Sequence, residues 1–504
     1  MAMRQCAAVA IIAGALACSP RDRRTPDDTL VVVIEASMAS SDPRYAISNY
    51  DGKLTRLVHT GLTAVDTESL LPRMELATKV ERSGDLTWDV EIRADAKFSD
   101  GLPVTADEVA YTYESMLAKD SDSLFHRGFS ERFSRVEALG PRTVRFHLRE
   151  PLATFRTDIE IGIISRAGKG AGPYIVRELT SSHALLDLNP HYYGTKPKIP
   201  HVEIKFVRDA SARLLMMVGG SADLIQNGVR LDLVDEVKDR PRIQITSAPS
   251  VLLTQMLLNN ADPLLRDVRV RQAIALAIDR PSIIAAKFGG RARLATGLVA
   301  PGHWAYEPDV PRWDRDASRA KQLLDDAGLR DPDGAGPKPR ARLVYKTSSD
   351  AFRVTLARVI AAQLADIGLE VEVRSFEFAT FFADIKKGSY QLATIQTTDI
   401  TDPDFYFTYF HSSRIPEPKN PDGGNRSRYK NARVDELTSA GRHELDQVKR
   451  KAMYSEVQRL VAGEVPIVAL WHEDNVVLSN VDVQGYTITP NARLIGLASA
   501  WKRP

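Results

Sequence analysis

The sequence predicts an α/β fold divided among more than one domain. Segments with helical periodicity alternate along the chain with short apolar segments rich in β-branched residues, which is the pattern of helices packed on sheets. The chain has 504 residues, more than one hydrophobic core supports, so two or three domains are expected. Hydrophobic residues make up 43% and charged residues 26% of the chain, which are ordinary values for a globular protein.

The amino terminus has the pattern of an export signal. Arg4 precedes an apolar run over residues 7–17, which is too short to span a bilayer. Cys18 follows, and it fits either a lipidated cysteine or the first residue of a soluble mature form; we favour lipidation. Cys6 and Cys18 are the only cysteines, so the mature chain would hold no internal disulfide. We expect a signal peptide over 1–18, a flexible tether over 19–28, and membrane contact only through the lipid.

The first half of the chain begins with a predicted strand at residues 30–37. A second strand is predicted at 88–92, where apolar and polar residues alternate, and an Asp-Gly turn follows it. Thr105 and Glu108 have the spacing of a capping box, in which each side chain bonds a free backbone N–H at the start of a helix. The face of this helix predicted to be buried carries Val109, Tyr113 and Met116.

The middle of the chain contains a glycine-rich segment at 168–176. It matches neither phosphate-binding glycine pattern, so we expect a tight crossing between domains. A helix is predicted to end at Gly219-Gly220, with a short strand after it. A second helix is predicted to be stopped by Pro281, so that Ser282 caps the next one. The buried face of that second helix carries Val270, Ile274, Ala277 and Ile278.

The second half continues the alternation. Residues 328–343 are predicted to be an exposed loop, and a helix capped by Gly368 leads into a strand after it. Residues 390–398 form another predicted strand. Two charged amphipathic helices over 428–465 then lead into an apolar strand.

Composition and motifs exclude several classes of function. The net charge is only +2, from 67 basic and 65 acidic residues, and there is no basic block, so nucleic-acid binding is not predicted. His472 and Glu473 lack the second histidine of a zinc-protease helix, and G-x-S-x-G does not occur. We therefore predict no metal site, no cofactor and no enzymatic activity.

Three carboxylates lie close together in "TTDITDPDFYF": Asp399, Asp402 and Asp404. A calcium loop starting at Asp399 would need glycine at its sixth position and glutamate at its twelfth, but Asp404 and Phe410 stand there. A glycosidase carboxylate pair stays open as an alternative. Asp399 directly follows a predicted strand, and open α/β sheets bind ligands at the carboxyl ends of their strands.

Several motifs resemble one family. The chain is similar to the family-5 extracellular solute-binding proteins, the oligopeptide-, dipeptide- and nickel-binding receptors of ABC importers. The similarity covers nearly the whole mature sequence and rests on ordered motifs: "TWDVEIRADAKFSDGLPVTADEVAYTYESM", "GAGPY", "VRQAIALAIDR", "QLLDDAGL", "TDITDPDFYF" and "YKNARVDEL".

The resemblance implies a periplasmic-binding-protein-like fold, with two lobes joined by a hinge and an additional smaller domain. It places the first lobe at 29–50, 174–262 and 475–504, the small domain at 51–173, and the second lobe, with the Asp399 segment, at 263–474. The implied function is an exported, periplasmic or cell-envelope receptor for short peptides. It would be a monomer that docks on an ABC permease with its ATPase for transmembrane transport.

The resemblance also implies a ligand site. Asp399 opens the D-x-x-D-P segment and would take the α-ammonium group of a peptide. The strand residues Ile395, Gln396 and Thr397 would bind the peptide backbone, and Arg353 would pair with a ligand carboxylate or stay on the surface.

Asp402 and Asp404 are expected to shape the turn after the site. Members usually have tryptophan where this chain has Gln396, which favours a more polar ligand, and the segment between Phe155 and Gly170 is short. Two alternatives stay open: a different solute (a nickel chelate, an oligosaccharide or an antibiotic-like compound), or a secreted hydrolase.

Overall fold

The structure is a computed structural model that describes residues 25–46, 48–66, 69–334 and 336–503. The predicted signal peptide and the lipidated Cys18 lie outside the described residues. Within these ranges, none of the helices combines the length and the apolar character that crossing a membrane requires.

Strands and helices alternate along the described chain. The strands are β1 Thr29–Ile34, β2 Thr63–Val65, β3 Pro72–Met74, β4 Ala77–Gly84, β5 Thr87–Ile92, β6 Phe133–Ala138, β7 Thr143–Leu148, β8 Tyr174–Leu179, β9 His183–Leu188, β10 His201–Phe206, β11 Leu224–Gln226, β12 Ile243–Ala248, β13 Leu253–Leu258, β14 Ala292–Leu294, β15 Ala341–Ser348, β16 Leu369–Phe376, β17 Leu392–Thr397, β18 Ile467–Glu473, β19 Asn475–Asn480, β20 Val483–Gln484 and β21 Trp501–Lys502. The α-helices are α1 Asn49–Val58, α2 Ala106–Leu117, α3 His126–Arg132, α4 Phe155–Asp158, α5 Ala210–Val218, α6 Leu231–Val234, α7 Val268–Ala277, α8 Arg280–Phe288, α9 Ala317–Asp326, α10 Ala351–Ala365, α11 Phe378–Lys387, α12 Phe405–Phe410, α13 Ala432–His443 and α14 Gln447–Glu464.

The three larger of the five sheets in the described chain organise the domains, and the other two are the pairs β2-β3 and β20-β21. The first lobe is built on a seven-stranded sheet in the order β12-β19-β11-β1-β10-β9-β8, and the second lobe on a six-stranded sheet in the order β14-β18-β13-β17-β15-β16. Both sheets mix parallel and antiparallel pairs. The small domain is built on an antiparallel sheet in the order β4-β5-β7-β6, which packs against α2. Helices on sheets give the predicted α/β class.

The packing bears on the predicted lobe boundaries. β13 falls in the range expected for the first lobe, yet it is hydrogen-bonded between β17 and β18 in the second-lobe sheet. Helix α1 falls mostly in the range expected for the small domain, yet its Leu54 and Leu57 are buried in the first-lobe core. We propose that the second lobe begins before Leu253 and that the first lobe includes α1.

Two chain crossings connect the lobes. Residues 249–252 lead from β12 into β13, and the single residue Asp474 separates β18 from β19. The crossings lie side by side, because the backbone N–H of Glu473 donates to the carbonyl of Leu252 at 3.0 Å. Such short parallel crossings have the form of a hinge, at which a few residues absorb the change in backbone angles.

The predicted start of helix α2 agrees with the structure in part, and the predicted start of helix α8 does not. In α2 the expected face is fully buried and Thr105 caps the helix, but the Glu108 carboxylate bonds Arg166 instead of completing a capping box. The predicted role of Pro281 as a helix stop is wrong. Asp279, not Ser282, caps α8, because its carboxylate accepts the N–H of Ser282 at 3.0 Å while the proline sits in the first turn.

The glycine-rich crossing is confirmed as a close backbone approach. The chain passes from the small domain into β8 against the end of α1. A Cβ on Gly170 would lie 2.1 Å from the carbonyl oxygen of Val58, and a Cβ on Gly172 would lie 2.6 Å from that of Leu57. Only glycine fits this distance, so these residues fix how the small domain meets the first lobe.

Candidate ligand-binding cleft

A cleft of about 440 Å³ lies between the two lobes. Asp399 lines it two residues after the end of β17, with a φ of +61°, a left-handed conformation that aspartate and asparagine tolerate better than most residues. The first-lobe side includes Glu35, Asn49, Tyr50, Lys53, Arg213 and Asn227. The second-lobe side includes Phe352, Arg353, Gln396, Thr398, Asp399 and Glu473.

Asp399 makes an ion pair across the cleft. Its Oδ2 and Oδ1 lie 3.1 and 3.4 Å from Nη2 of Arg493, a residue in the first-lobe segment between β20 and β21. The Asp399 side chain keeps 43% exposure, whereas that of Arg493 keeps 10%. The carboxylate is therefore accessible from the cleft and paired on one side only.

Arg493 also belongs to a wider network. Its Nη atoms bond both carboxylate oxygens of Glu160 at 3.1 Å, and Glu160 in turn accepts from Arg56 at 2.6 Å. Burial opposes the charge of Arg493, but Glu160 and then Asp399 outweigh that cost and raise its pKa. Two carboxylates and two guanidinium groups give a net charge of zero, so the cluster is neutral before any ligand arrives.

Asp402 and Asp404 have partners away from the cleft. Asp402 is buried and accepts two bonds from Arg450, at 2.6 and 2.9 Å, and one from the N–H of Asp404 at 2.8 Å. Asp404 lies 3.3 Å from Nε of Arg442, and burial raises its pKa. Asp402 thus closes an Asx turn before α12 and forms a buried, bidentate ion pair.

Arg353 is half-buried in the cleft wall. Its Nη1 lies 3.2 Å from Oε1 of Glu473, which also accepts from Thr254 at 2.6 Å. Its partner is thus a carboxylate of its own lobe. Arg353 also lines a second cavity that adjoins the cleft.

The predicted strand before Asp399 is β17, and it has a partly unpaired edge. β17 pairs with β13 along all six residues, from Leu392 to Thr397, but with β15 only at Leu392 and Ala393. Beyond Ala393, the edge of β17 that faces β15 is therefore not paired with it. An edge with unpaired backbone groups accepts an added strand.

The second cavity, which we call the aromatic cavity, has a volume of about 660 Å³ and lies entirely in the second lobe. Arg353, Gln396 and Thr398 line both it and the cleft. Its remaining lining residues are Ser348, Phe378, Phe381, Phe382, Thr394, Ile395, Thr397, Tyr409 and Arg426. The strand residues expected to bind a ligand backbone therefore face these two adjoining spaces.

Comparison with known proteins identifies the chain. Residues 72–416 match the family of bacterial extracellular solute-binding proteins, family 5. The chain belongs to this family. This solute-binding protein is 25% identical over 496 residues to the probable D,D-dipeptide-binding periplasmic protein DdpA of Escherichia coli, covering 92% of each chain. It is 26% identical to the oligopeptide-binding protein AppA of Bacillus subtilis, covering 91% of this chain and 88% of AppA.

A solved structure agrees with the fold. NikZ of Campylobacter jejuni, in complex with Ni(L-His), superposes with a TM-score of 0.82 at 25% identity, covering 95% of this chain and 100% of NikZ. The predicted family and the two-lobed α/β fold are thus confirmed. These relatives are binding proteins by name, and family members act outside the cytoplasm. Within the described residues, no group of three histidine, cysteine or acidic side chains is placed to hold a metal.

The sequence did not reveal the cation that meets Asp399. Arg493 is 94 residues away in sequence and Glu160 is 333 residues from Arg493, and neither lies in a motif. Arg426 in the aromatic cavity was likewise not predicted, because it sits in an irregular segment before α13. No local pattern identifies such residues; only the folded chain brings them together.

Proposed function

We propose that this solute-binding protein binds short peptides with a free amino terminus between its lobes and delivers them to an ABC permease. The observation that carries the proposal is the half-exposed carboxylate of Asp399 in the cleft, at the end of β17. An α-ammonium group has a pKa near 7.7–8.0, so most of it is charged at neutral pH and a carboxylate is its natural partner.

The peptide backbone would add to the unpaired edge of β17 at residues 394–397, including Ile395, Gln396 and Thr397. Backbone bonds of this kind tolerate variation in the side chains of the ligand. Because lining residues come from both lobes, a bound peptide contacts both and favours the closed arrangement. Arg353, although paired with Glu473, has further N–H groups for a ligand carboxylate.

The remaining roles extend the same proposal. The closed, monomeric receptor docks on a membrane permease whose ATPase drives transport, and it does not alter its cargo chemically. Export depends on the signal peptide over residues 1–18, and lipid on Cys18 holds the receptor at the cell envelope.

Calorimetric titration tests the ammonium contact. We expect trialanine to bind with saturable heat and N-acetyl-trialanine to bind about 30-fold more weakly or worse, since truncating one partner of a desolvated charge pair costs about 2 kcal/mol or more. Asp399→Asn keeps a side chain that tolerates the positive φ and should weaken trialanine binding comparably.

The matched control is Asp95→Asn, which alters an exposed ion pair with Arg93 in the small domain and should leave affinity unchanged. Equal binding of the free and acetylated peptides would contradict the proposal. Mass spectrometry of the recovered peptide should show it intact, and cleavage products would instead support the hydrolase alternative.

A metal chelate is the second candidate, and the specific observation in its favour is the similarity to NikZ, which was solved with Ni(L-His). Such a cargo brings its own ligands, so it needs no protein group of three metal-binding side chains. Titration with nickel and L-histidine, alongside the peptide series, separates the two cargoes. Saturable heat from the chelate and none from any peptide would favour the second candidate.

A further inference from the structure

The aromatic cavity has a distinctive charge pattern. Its lining includes two arginines, Arg353 and Arg426, but no aspartate or glutamate among the described residues. Arg353 is paired with Glu473. Arg426 differs, because among the described residues its buried Nε has no hydrogen-bond partner.

The guanidinium of Arg426 is held by a ring instead. It lies 4.7 Å from the centre of the Phe382 ring, a cation–π contact, and its Nε is buried. The nearby Lys386 is engaged with Asp422 at 2.6 Å. A buried N–H without an acceptor is costly, and guanidinium groups bind carboxylates through paired hydrogen bonds. The structure thus presents an anion-binding group at the wall of an aromatic space that no described acidic side chain lines.

The aromatic cavity lies beside the edge of β17 at which the peptide is proposed to bind. It lies along Thr394, Ile395, Gln396 and Thr397, the part of β17 whose edge is not paired with β15. A strand added there would direct alternate side chains towards one face of the sheet. A volume of about 660 Å³ holds an acidic side chain together with waters of hydration.

We propose that the aromatic cavity is a side-chain subsite that selects an acidic residue of the bound peptide through Arg426. The inference rests on the proposed peptide-binding function and deepens it. The apolar stem of the acidic residue lies among Phe378, Phe381 and Phe382, while its carboxylate bonds the guanidinium. The receptor therefore prefers zwitterionic peptides with an additional negative charge.

Titration of the full-length protein with paired tripeptides tests the subsite. Glutamate or glutamine is placed at the first, second or third position, with alanine elsewhere, so that each pair differs only in charge. We expect the glutamate peptide to bind about tenfold more tightly at one position, since hydrogen bonds to charged groups are the stronger ones. Lysine at the same position should bind more weakly than glutamine.

Variants assign the preference to Arg426. Arg426→Gln should abolish the glutamate preference yet bind trialanine as the wild type does, and Arg426→Lys should keep part of it. The matched control is Arg414→Gln, which also has a buried, unbonded Nε among the described residues but does not line the cavity. This control should keep the full preference.

The outcomes are distinguishable. If tripeptides bind but glutamate and glutamine are equivalent at every position, the subsite is refuted and the peptide receptor stands. If the preference persists in Arg426→Gln, another group causes it and the assignment is wrong. If no tripeptide binds, the proposed function itself fails, and the subsite with it.

Discussion

The ion pair between Asp399 and Arg493 joins the second lobe to the first, so it should stabilise the closed arrangement. The perturbation is a double-mutant cycle with Asp399→Asn, Arg493→Gln and both together. Asparagine suits the φ of +61° at position 399, and Glu160 keeps Arg56 as a partner when Arg493 is replaced. The cycle isolates the energy of the pair itself.

The distance between the two charges and their exposure set the size of the coupling energy. Unit charges 3.1 Å apart attract by about 1 kcal/mol at the dielectric constant of water and about 5 kcal/mol at an effective value of 20. The Asp399 side chain is 43% exposed, so solvent screening places the pair near the lower figure. We expect a coupling energy of about 1 kcal/mol, which changes the ratio of open to closed molecules about fivefold.

Single-molecule energy transfer between the lobes measures this ratio in the absence of ligand. With Cys6 and Cys18 replaced by serine the chain has no cysteine, so dyes placed at Ser181→Cys and Lys321→Cys report only the distance between the lobes. Both residues are exposed, one in the turn between β8 and β9 and the other on α9. Arg177→Gln, which removes an ion pair within the first lobe, is the control.

Two results would refute the reasoning. Strictly additive effects of the two substitutions would show that the pair does not join the lobes in solution. A coupling energy unchanged between 0.1 and 1 M salt would also contradict it, because the screening length falls from about 10 to about 3 Å over this range.

Three further predictions concern stability. Asp402→Asn should cost about 3–5 kcal/mol in urea unfolding, because Arg450 is then left buried without its full partner, while peptide affinity of the folded protein is unchanged. Burial lowers the pKa of His472 to about 4 from 6.5, so its contribution to stability is complete above pH 6.5 and falls as the pH drops towards 4. Between pH 7 and pH 4, the free energy of unfolding of His472→Gln should therefore fall by about 3 kcal/mol less than that of the wild type. Gly170→Ala should cost about 3 kcal/mol and lower Tm, whereas Gly128→Ala, where an added Cβ meets no described atom within 4 Å, should change stability by less than about 1 kcal/mol.

Features that depend on residue spacing within one element could be predicted from the sequence. The strand before Asp399 and the buried face of α2 follow from residue spacing within one element, and the structure has both. The sequence could not predict which sheet each strand joins. β13 is buried at every position, its polar Thr254 and Gln255 included, and such a segment fits either sheet, so only its pairing with β17 and β18 assigns it to the second lobe.

The candidate site shows the same division. The position of Asp399 at the end of a strand followed from sequence, and its role as the ammonium partner stays a prediction. The contact with Arg493 depends on how the two lobes face each other, which no local pattern encodes. Among the described residues, the buried Nε of Arg426 has no hydrogen-bond partner; this depends on which side chains surround it, and sequence spacing gives no information on that.

The charge arrangement suggests where affinity and selectivity come from. Because Arg493 already neutralises Asp399, a ligand ammonium gains only the difference between the new contact and the one it weakens. The ammonium group of the peptide therefore contributes a binding free energy at the lower end of the range that a buried ion pair supplies. Most of the affinity must then come from backbone bonds along β17, and selectivity from the guanidinium of Arg426, whose buried Nε has no hydrogen-bond partner among the described residues. A receptor built this way discriminates peptides by side-chain charge as well as by the presence of the amine.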